Sequence, residues 1–149
     1  MKIAIIQTDI VWAEVDTNLL HMSNIIKSLP DDTILVIFPE MCTTGFHPEP
    51  HLVANLSESY TTDALQSLVK ESGISIMATI ACQEGDLFYN RCVLVEKDRI
   101  QRYDKMHLFS LGREKEAFCG GNKISNFSFN GLSIRPLICY DLRFPYLSF

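Results

Sequence analysis

The N-terminal part of the chain alternates between short apolar runs and an amphipathic segment, and this alternation constrains the fold strongly. Residues 2–8 contain a run of four apolar residues typical of a buried strand, and residues 33–38 form a second such run. Between them, apolar residues recur at positions 19, 22, 25 and 26, which is the spacing of one helical face. Asn18 is expected to open this helix. Two buried strands joined by a helix predict an α/β fold built around a sheet.

Further along the chain, the pattern continues with one more helix and several short strands. Residues 62–72 place apolar side chains on one face and end before Gly73, as is typical of a helix C-terminus. Apolar and β-branched segments predict strands near 74–81, 87–96, 99–105, 124–129 and 132–138. Gly85-Asp86 and Lys97-Asp98 predict hairpin turns between the first three of these strands. No repeat or low-complexity linker interrupts the pattern, so residues 1–149 are predicted to form one domain.

Charge and composition exclude several classes of partner. The chain has 13 basic and 18 acidic residues, a net charge of −5, and no basic cluster that could follow a phosphate backbone, so nucleic acid is not an expected partner. No apolar run approaches the roughly 20 residues that span a bilayer, and no signal-peptide pattern follows the initiator methionine. Five cysteines, an odd number without paired metal-type spacing, suit free thiols in a reducing compartment. We therefore expect a cytoplasmic protein without membrane contact.

Three separated residues carry most of the chemical information. Glu40 follows the apolar run 34–39, and Cys139 follows a similar short run, so each is expected where a strand passes a side chain to a loop. Lys105 follows the alternating segment 99–103, which suits a half-buried strand. The thiol, the carboxylate and the ammonium group together look like a nucleophile, a base and a cation.

The motifs around these three residues resemble those of the nitrilase superfamily of carbon-nitrogen hydrolases, in which Glu, Lys and Cys occur in this order. The segment Cys-Tyr-Asp-Leu-Arg-Phe-Pro at 139–145 is similar to the nucleophile segment of the omega-amidase and Nit-like amidase branch. Supporting matches lie at 3–7, 38–41 and 89–91. The resemblance implies a four-layer αββα sandwich with catalytic roles for Glu40, Lys105 and Cys139.

The length of the chain modifies this expectation. Members of the resembled family are much longer, and this sequence ends ten residues after its expected nucleophile. What is present corresponds to about the first half of the sandwich, which would leave one apolar sheet face and unpaired edges exposed. We therefore expect either a longer natural chain or an assembly that covers this face, most simply a homodimer or higher homo-oligomer.

The resemblance also implies a reaction cycle that needs no cofactor. A free cysteine with a pKa near 8.5 is only a few per cent thiolate at neutral pH, so the Cys139 thiol requires a base or a cation beside it. Glu40 would take the thiol proton, and Lys105 would favour the negative charge. Lys105 and the backbone N–H of Tyr140 would then hold the oxyanion. Glu40 would return its proton to the departing ammonia and later activate the water that hydrolyses the thioester.

Two further charged residues are candidates for the same site. The family often has a second glutamate after the lysine motif, and Glu114 is the better match, with Glu116 as the alternative. Either could instead belong to a solvated face. Arg143 could pair through both guanidinium nitrogens with a substrate carboxylate. Its alternative is an intramolecular ion pair with Asp141 or Glu114.

The remaining candidates have simpler alternatives. Tyr140, Phe46 and Phe144 are predicted to wall a substrate pocket, although each could equally be core. His107 is expected to support the site through hydrogen bonds and not to act as the base. Metal-ligand side chains occur together at Cys42, His47 and His51. This group lacks a fourth ligand and the spacing of a zinc finger, so no metal is expected.

Together these features predict a cysteine-dependent amidohydrolase that acts on a small linear amide with a carboxylate at its other end. By resemblance, the substrates would be omega-amides of dicarboxylic keto acids. One alternative is a nitrile or N-carbamoyl hydrolase, against which the Asp-Leu-Arg-Phe sequence at 141–144 argues. The other alternative is an inactive or partner-dependent half-domain.

Overall fold

The computed structural model describes residues 2–53 and 58–148. Strands and helices alternate through the first half of the chain, as predicted. The strands are β1 Lys2–Ile5, β2 Thr33–Ile37, β3 Ser75–Glu84, β4 Leu87–Val95, β5 Ile100–Asp104, β6 Phe127–Phe129 and β7 Leu132–Ile134. The α-helices are α1 Val15–Ser28, α2 Pro50–Val53, α3 Glu58–Ser72 and α4 Glu114–Ala117. Short 3₁₀ helices cover Ser110–Gly112, Cys139–Arg143 and Pro145–Leu147.

A five-stranded sheet in the order β1-β2-β3-β4-β5 organises the fold. The pairs β1/β2 and β2/β3 are parallel, because α1 and the α2–α3 segment supply the long connections that parallel neighbours need. The pairs β3/β4 and β4/β5 are antiparallel and are joined by tight turns. Both predicted hairpins are confirmed, and Gly85 adopts the left-handed φ of 58° that its turn requires.

One face of the sheet is covered by α1 and α3. Their inward side chains pack on alternate residues of the strands, as the periods of 3.6 and 2 dictate. This core contains Leu19, Met22, Ile26, Leu65 and Val69 from the helices, with Val36, Ile76, Ala78, Ile80, Val93 and Val95 from the sheet. Each of these side chains except that of Ala78 contributes about 1.5–3 kcal/mol on full burial.

The opposite face of the sheet is covered only in part. The small antiparallel sheet of β6 and β7 packs there with Ile138, over Leu35, Leu94 and Tyr103. Toward β1 the face is open. Ile3 is 41% exposed and Ile5 is 78% exposed, although both lie on a strand of the central sheet.

Two local predictions were wrong. The strand expected at 132–138 ends at Ile134, because Pro136 lacks an N–H group and cannot continue a ladder. Cys139 therefore begins a 3₁₀ helix, Cys139–Arg143, which we call the Cys139 turn. Asn18 does not open α1, which begins at Val15.

Asn18 instead fastens two loops. Its side chain is 2% exposed, and its amide group binds both the N–H and the carbonyl oxygen of Val11 and the carbonyl oxygen of Thr43. The loop that follows Glu40 is therefore held against the first turn of α1.

Among the described helices, none combines the length and the hydropathy that a bilayer span requires.

Candidate active site

Lys105 forms the centre of a buried charge cluster. It follows β5 directly, its side chain is 1% exposed, and its Nζ lies 2.8 Å from Glu40 Oε1 and 2.9 Å from Glu114 Oε2. Burial acts to lower the pKa of Lys105, but the hydrogen bonds and charges of Glu40 and Glu114 outweigh burial and raise it above its ordinary value. The ammonium group therefore stays charged at neutral pH.

Asn90 bridges the same two carboxylates. It lies in β4 and is fully buried, and its Nδ2 donates to Glu40 Oε1 at 2.7 Å and to Glu114 Oε1 at 3.1 Å. Its Oδ1 finds no hydrogen-bond partner among the described residues. Sequence reasoning did not assign Asn90 to the site, although a neutral amide inside an apolar strand was an available signal. The amide orients both carboxylates without adding charge.

Glu114 and Glu116 are separated clearly by the structure. Glu114 begins α4, is 1% exposed, and accepts the backbone N–H of Phe109 at 2.7 Å in addition to its bond with Lys105. The side chain of Glu116 is 63% exposed and pairs with Arg113. The geometry therefore places the preferred candidate, Glu114, in the cluster, while Glu116 lies on the surface.

Cys139 faces this cluster from a strained backbone position. Its φ is +46°, in the left-handed region, where a non-glycine residue costs about 1–2 kcal/mol. Cys139 lines a cavity of ≈ 110 Å³ together with Glu40, Lys105 and Glu114, which we call the Cys139 cavity. The three residues singled out in the sequence therefore meet, as expected, in one cleft. Among the described cysteines only Cys139 is exposed.

The electrostatics of Cys139 differ from the expectation that Lys105 would favour a thiolate. Burial raises the pKa of the thiol, and the charge and hydrogen bond of the Glu40 carboxylate raise it further. Lys105 lowers the pKa, but its effect is outweighed by these contributions and by the charge of Glu114. At neutral pH Cys139 is thus a protonated thiol beside a carboxylate, an arrangement that suits base-assisted attack by sulfur better than a standing thiolate.

The predicted aromatic walls divide between two cavities. Phe46 lines the Cys139 cavity, and so does Phe109, which sequence reasoning missed. Tyr140 and Phe144 instead line a neighbouring cavity of ≈ 500 Å³. Each of the three predicted aromatic residues therefore lines a cavity, Phe46 at Cys139 and the other two beside it. The rings of Phe109 and Tyr140 meet edge to face with centroids 5.3 Å apart, and this contact joins the walls of the two cavities.

Arg143 lies at the end of the Cys139 turn with an exposed side chain. Within the described ranges it forms no ion pair. The alternative of an intramolecular pair with Asp141 or Glu114 is not observed, because both carboxylates are occupied by other donors. Arg143 is not among the residues that line the Cys139 cavity.

His107 takes part in hydrogen bonds beside the cluster. Its Nδ1 is 3.2 Å from Asp141 Oδ1, and its Nε2 is 2.8 Å from the Tyr146 hydroxyl. It does not line the Cys139 cavity. This geometry agrees with the supporting position expected from the sequence.

The described part of the chain contains no group of three His, Cys, Asp or Glu side chains that could hold a metal ion. Cys42 is buried and donates to the carbonyl oxygen of Thr79, and burial raises the pKa of its thiol to about 12. His47 binds the backbone of Glu49. These contacts show that Cys42 and His47 have structural partners.

A family model described as carbon-nitrogen hydrolase matches residues 2–149. This chain belongs to the carbon-nitrogen hydrolase family. The resemblance to the nitrilase superfamily and the α/β fold class are thereby confirmed.

Individual relatives of this chain agree with the family model. The omega-amidase YafV of Yersinia enterocolitica is 34% identical over 146 residues, which cover 97% of this chain and 56% of the relative. The 2-oxoglutaramate amidase of Bacillus subtilis (strain 168) is 29% identical over 152 residues, which cover 96% of this chain and 57% of the relative. The chain thus spans about half the length of the curated relatives it matches.

A solved structure shows the same architecture. The CN-hydrolase superfamily protein XC1258 from Xanthomonas campestris, which carries an arsenic adduct in its active site, superimposes with a TM-score of 0.87 at 26% identity. The match covers 97% of this chain and 55% of that protein. The described fold therefore corresponds to a little more than half of a carbon-nitrogen hydrolase.

Proposed function

We propose that this protein hydrolyses a small linear amide to a carboxylic acid and ammonia through a thioester on Cys139. The observation that carries the proposal is that Cys139, Glu40, Lys105 and Glu114 together line the Cys139 cavity. A thiol with a raised pKa needs a base within reach, and Glu40 is the carboxylate that contributes most to that rise. Membership of the carbon-nitrogen hydrolase family supports the same bond class.

In the first half of the reaction, Glu40 takes the proton from the Cys139 thiol while sulfur attacks the amide carbon. The carbonyl oxygen becomes an oxyanion. The Lys105 ammonium and the backbone N–H of Tyr140 are the donors for it, since that N–H lies in the first turn of a 3₁₀ helix and precedes any intrahelical partner. Collapse of the tetrahedral intermediate breaks the C–N bond, and Glu40 returns its proton to the leaving nitrogen, which departs as ammonia.

In the second half, a water molecule replaces ammonia. Glu40 removes a proton from the water, hydroxide adds to the thioester carbonyl, and the same donors hold the second oxyanion. The C–S bond then breaks, the acid leaves, and the proton returns to the thiol. Glu114 and Asn90 keep Lys105 and Glu40 in place during both halves, because each contacts one or both of them directly.

For the substrate, we propose an amide that bears a carboxylate at its far end, such as 2-oxoglutaramate. The names of the omega-amidase and 2-oxoglutaramate amidase relatives support this class. Arg143 is the proposed partner of the carboxylate, since it is exposed at the end of the Cys139 turn and forms no ion pair within the described ranges. Tyr140 and Phe144 would line the path toward it, in the cavity beside Cys139.

The experiment is ammonia release from three substrates of similar size: 2-oxoglutaramate, an aliphatic nitrile and an N-carbamoyl amino acid. We expect turnover of the first and little of the others. Cys139→Ala serves as the inactive control, and trapping of an acyl group on Cys139 by mass spectrometry identifies the thioester. Preferential turnover of the nitrile would overturn the amidase assignment.

A second proposal concerns assembly, and a specific observation favours it. The face of the sheet around Ile3 and Ile5 is apolar and open, whereas monomers rarely leave large contiguous apolar patches uncovered. We propose that a second copy of the chain covers this face, giving a homodimer or a higher homo-oligomer. Activity that depends on protein concentration would then identify a partner-dependent enzyme.

A further inference from the structure

Asp141 is a fully buried carboxylate that the reaction described above does not use. It lies two residues after Cys139 within the Cys139 turn, and it is 0% exposed. Burying a carboxylate costs free energy unless hydrogen-bond donors surround it. The donors around Asp141 therefore indicate its role.

Donors reach Asp141 from three parts of the chain. The Tyr103 hydroxyl in β5 donates to Oδ2 at 2.7 Å, and the backbone N–H of Ile138 donates to the same oxygen at 3.1 Å. The backbone N–H of His107 donates to Oδ1 at 2.8 Å, and the His107 ring nitrogen Nδ1 lies 3.2 Å from that oxygen. Burial and the contact with Asp141 raise the pKa of Tyr103, so its hydroxyl remains a donor at neutral pH.

The positions of these donors relate Asp141 to both sides of the cleft. Ile138 directly precedes Cys139. The hydrogen bond from the Ile138 N–H to the Asp141 carboxylate therefore closes a short loop that contains Cys139, the residue with a φ of +46°. His107 lies two residues after Lys105, so the bond to its N–H holds the segment that carries the ammonium group. One side chain thereby spans the elements that present the nucleophile and the cation.

Two ring contacts extend the same connection. The Phe144 ring stacks on His107 with centroids 3.5 Å apart at 19°, and the Tyr146 hydroxyl lies 2.8 Å from His107 Nε2. The residues after the Cys139 turn are therefore also held to His107.

We infer that Asp141 is a positioning residue that fixes the Cys139 sulfur against Lys105 and Glu40; this inference rests on the proposed amidase function. It acts through the backbone of Ile138 and His107 and does not contact substrate. A displacement of about 1 Å at a reacting atom can cost about 100-fold in rate, so a carboxylate that sets this spacing matters to chemistry beyond folding.

The test is Asp141→Asn, which keeps the size of the side chain but replaces one acceptor oxygen with a donor. We expect kcat for amide hydrolysis to fall about 100-fold, with KM changed much less. We also expect the pH profile of Cys139 alkylation by iodoacetamide to move down toward that of an ordinary thiol, because the sulfur would no longer be held against Glu40. This second readout requires no turnover.

Two other variants keep the test decisive. Tyr103→Phe removes one donor and leaves both backbone N–H groups, so it should give a smaller change in the same direction if Asp141→Asn fails to fold. Val69→Ala is the matched control for lost stability, since Val69 is 2% exposed in α3 on the opposite face of the sheet. It should lower Tm and leave both kcat and the alkylation profile unchanged.

An Asp141→Asn protein with lowered Tm but wild-type kcat and an unchanged alkylation profile would overturn the inference, because Asp141 would then be structural only. A wild-type protein without amide turnover would count against the proposed function instead. In that case the alkylation profiles of Asp141→Asn and Tyr103→Phe still decide the role of Asp141.

Discussion

Glu114 Oε2 lies 2.9 Å from Lys105 Nζ, and each of these two side chains is only 1% exposed. Removing one member of such a pair leaves a largely buried charge without its partner, which typically costs about 3–5 kcal/mol. Lys105 also bonds to Glu40, so the cost of losing Glu114 falls near the lower end of that range.

Glu114→Gln is therefore expected to lower the free energy of unfolding by about 3 kcal/mol, measured by denaturant titration. Its turnover should also fall, since Lys105 would lose one of its two carboxylates. Glu116→Gln is the matched control, because that carboxylate is exposed and its loss should change stability by less than about 1 kcal/mol. Equal effects of the two variants would contradict the assignment of Glu114.

The thiol chemistry of Cys139 gives a prediction with a definite sign. A raised pKa means that the thiolate fraction, and with it the rate of alkylation, rises at higher pH than for a free cysteine. Limiting iodoacetamide should still label Cys139 first, because it is the exposed thiol while Cys42 and Cys92 are buried with pKa values raised to about 12. Peptide mapping identifies the labelled residue, and preferential labelling of Cys42 or Cys119 would count against Cys139.

Glu40→Gln should separate reactivity from catalysis. It removes the negative charge that raises the pKa of Cys139, so alkylation at pH 7.5 should become faster than in the wild type. Amide turnover should fall by about 100-fold to 10,000-fold, because the proposed base is lost. Slower alkylation in this variant would show that the carboxylate does not disfavour the thiolate.

Asn90 offers a test by pH. Asn90→Asp places a third carboxyl group against Glu40 and Glu114, and like charges raise the pKa of the new group. Its protonated form can donate again, so the loss of stability should be largest at neutral pH and should shrink as pH falls through that raised pKa. Thermal unfolding of the variant and the wild type across this range measures the difference. Asn90→Ala, which cannot donate at any pH, is the control that should not recover.

Arg143→Lys tests the substrate class. An ammonium group cannot reproduce the two parallel bonds of a guanidinium, so KM for a carboxylated amide should rise, while a neutral short amide should be nearly unaffected. Arg99→Lys, a surface change at an exposed Glu96 pair, controls for the substitution itself. Equal losses on both substrates would point to a structural role for Arg143.

The open face near β1 gives a prediction about assembly. Ile5→Lys should weaken self-association, measured by sedimentation velocity across a range of concentrations, because it places a charge on the proposed contact. Leu20→Lys is the matched control, since Leu20 is 60% exposed on α1, away from that face. A wild-type protein that sediments as a monomer with full turnover would contradict the proposed assembly.

The sequence predicted the elements whose patterns are local. The apolar runs that became β2, β3 and β4, the helix ending before Gly73, and the turns at Gly85 and Lys97 follow from periodicity and turn chemistry, and they lie within a few residues of their predicted bounds. Glu40, Lys105 and Cys139 were found through motifs, and their meeting in one cavity follows from the sheet order that these elements impose.

What the sequence did not predict depends on contacts between distant segments. The strand expected up to residue 138 ends early, because Pro136 has no N–H and because Asp141 accepts the N–H of Ile138. Asn90 and Phe109 belong to the site through contacts that form only in the folded chain. The Asn90 amide donates to Glu40, and the Phe109 N–H donates to Glu114. Burial, which separates Glu114 from Glu116, is not visible in a local Glu-Lys-Glu run.

Because the backbone at Cys139 is left-handed, selection for stability and selection for a thiol favour different residues at this position. Glycine adopts that conformation without steric cost, so Cys139→Gly should melt at a higher temperature than Cys139→Ala, although both variants lack the thiol. The residue that the fold would tolerate most easily at position 139 is therefore one that removes the proposed nucleophile. Variants selected only for thermal robustness would drift toward losing the thiol, and a screen that scores both properties is needed to keep it.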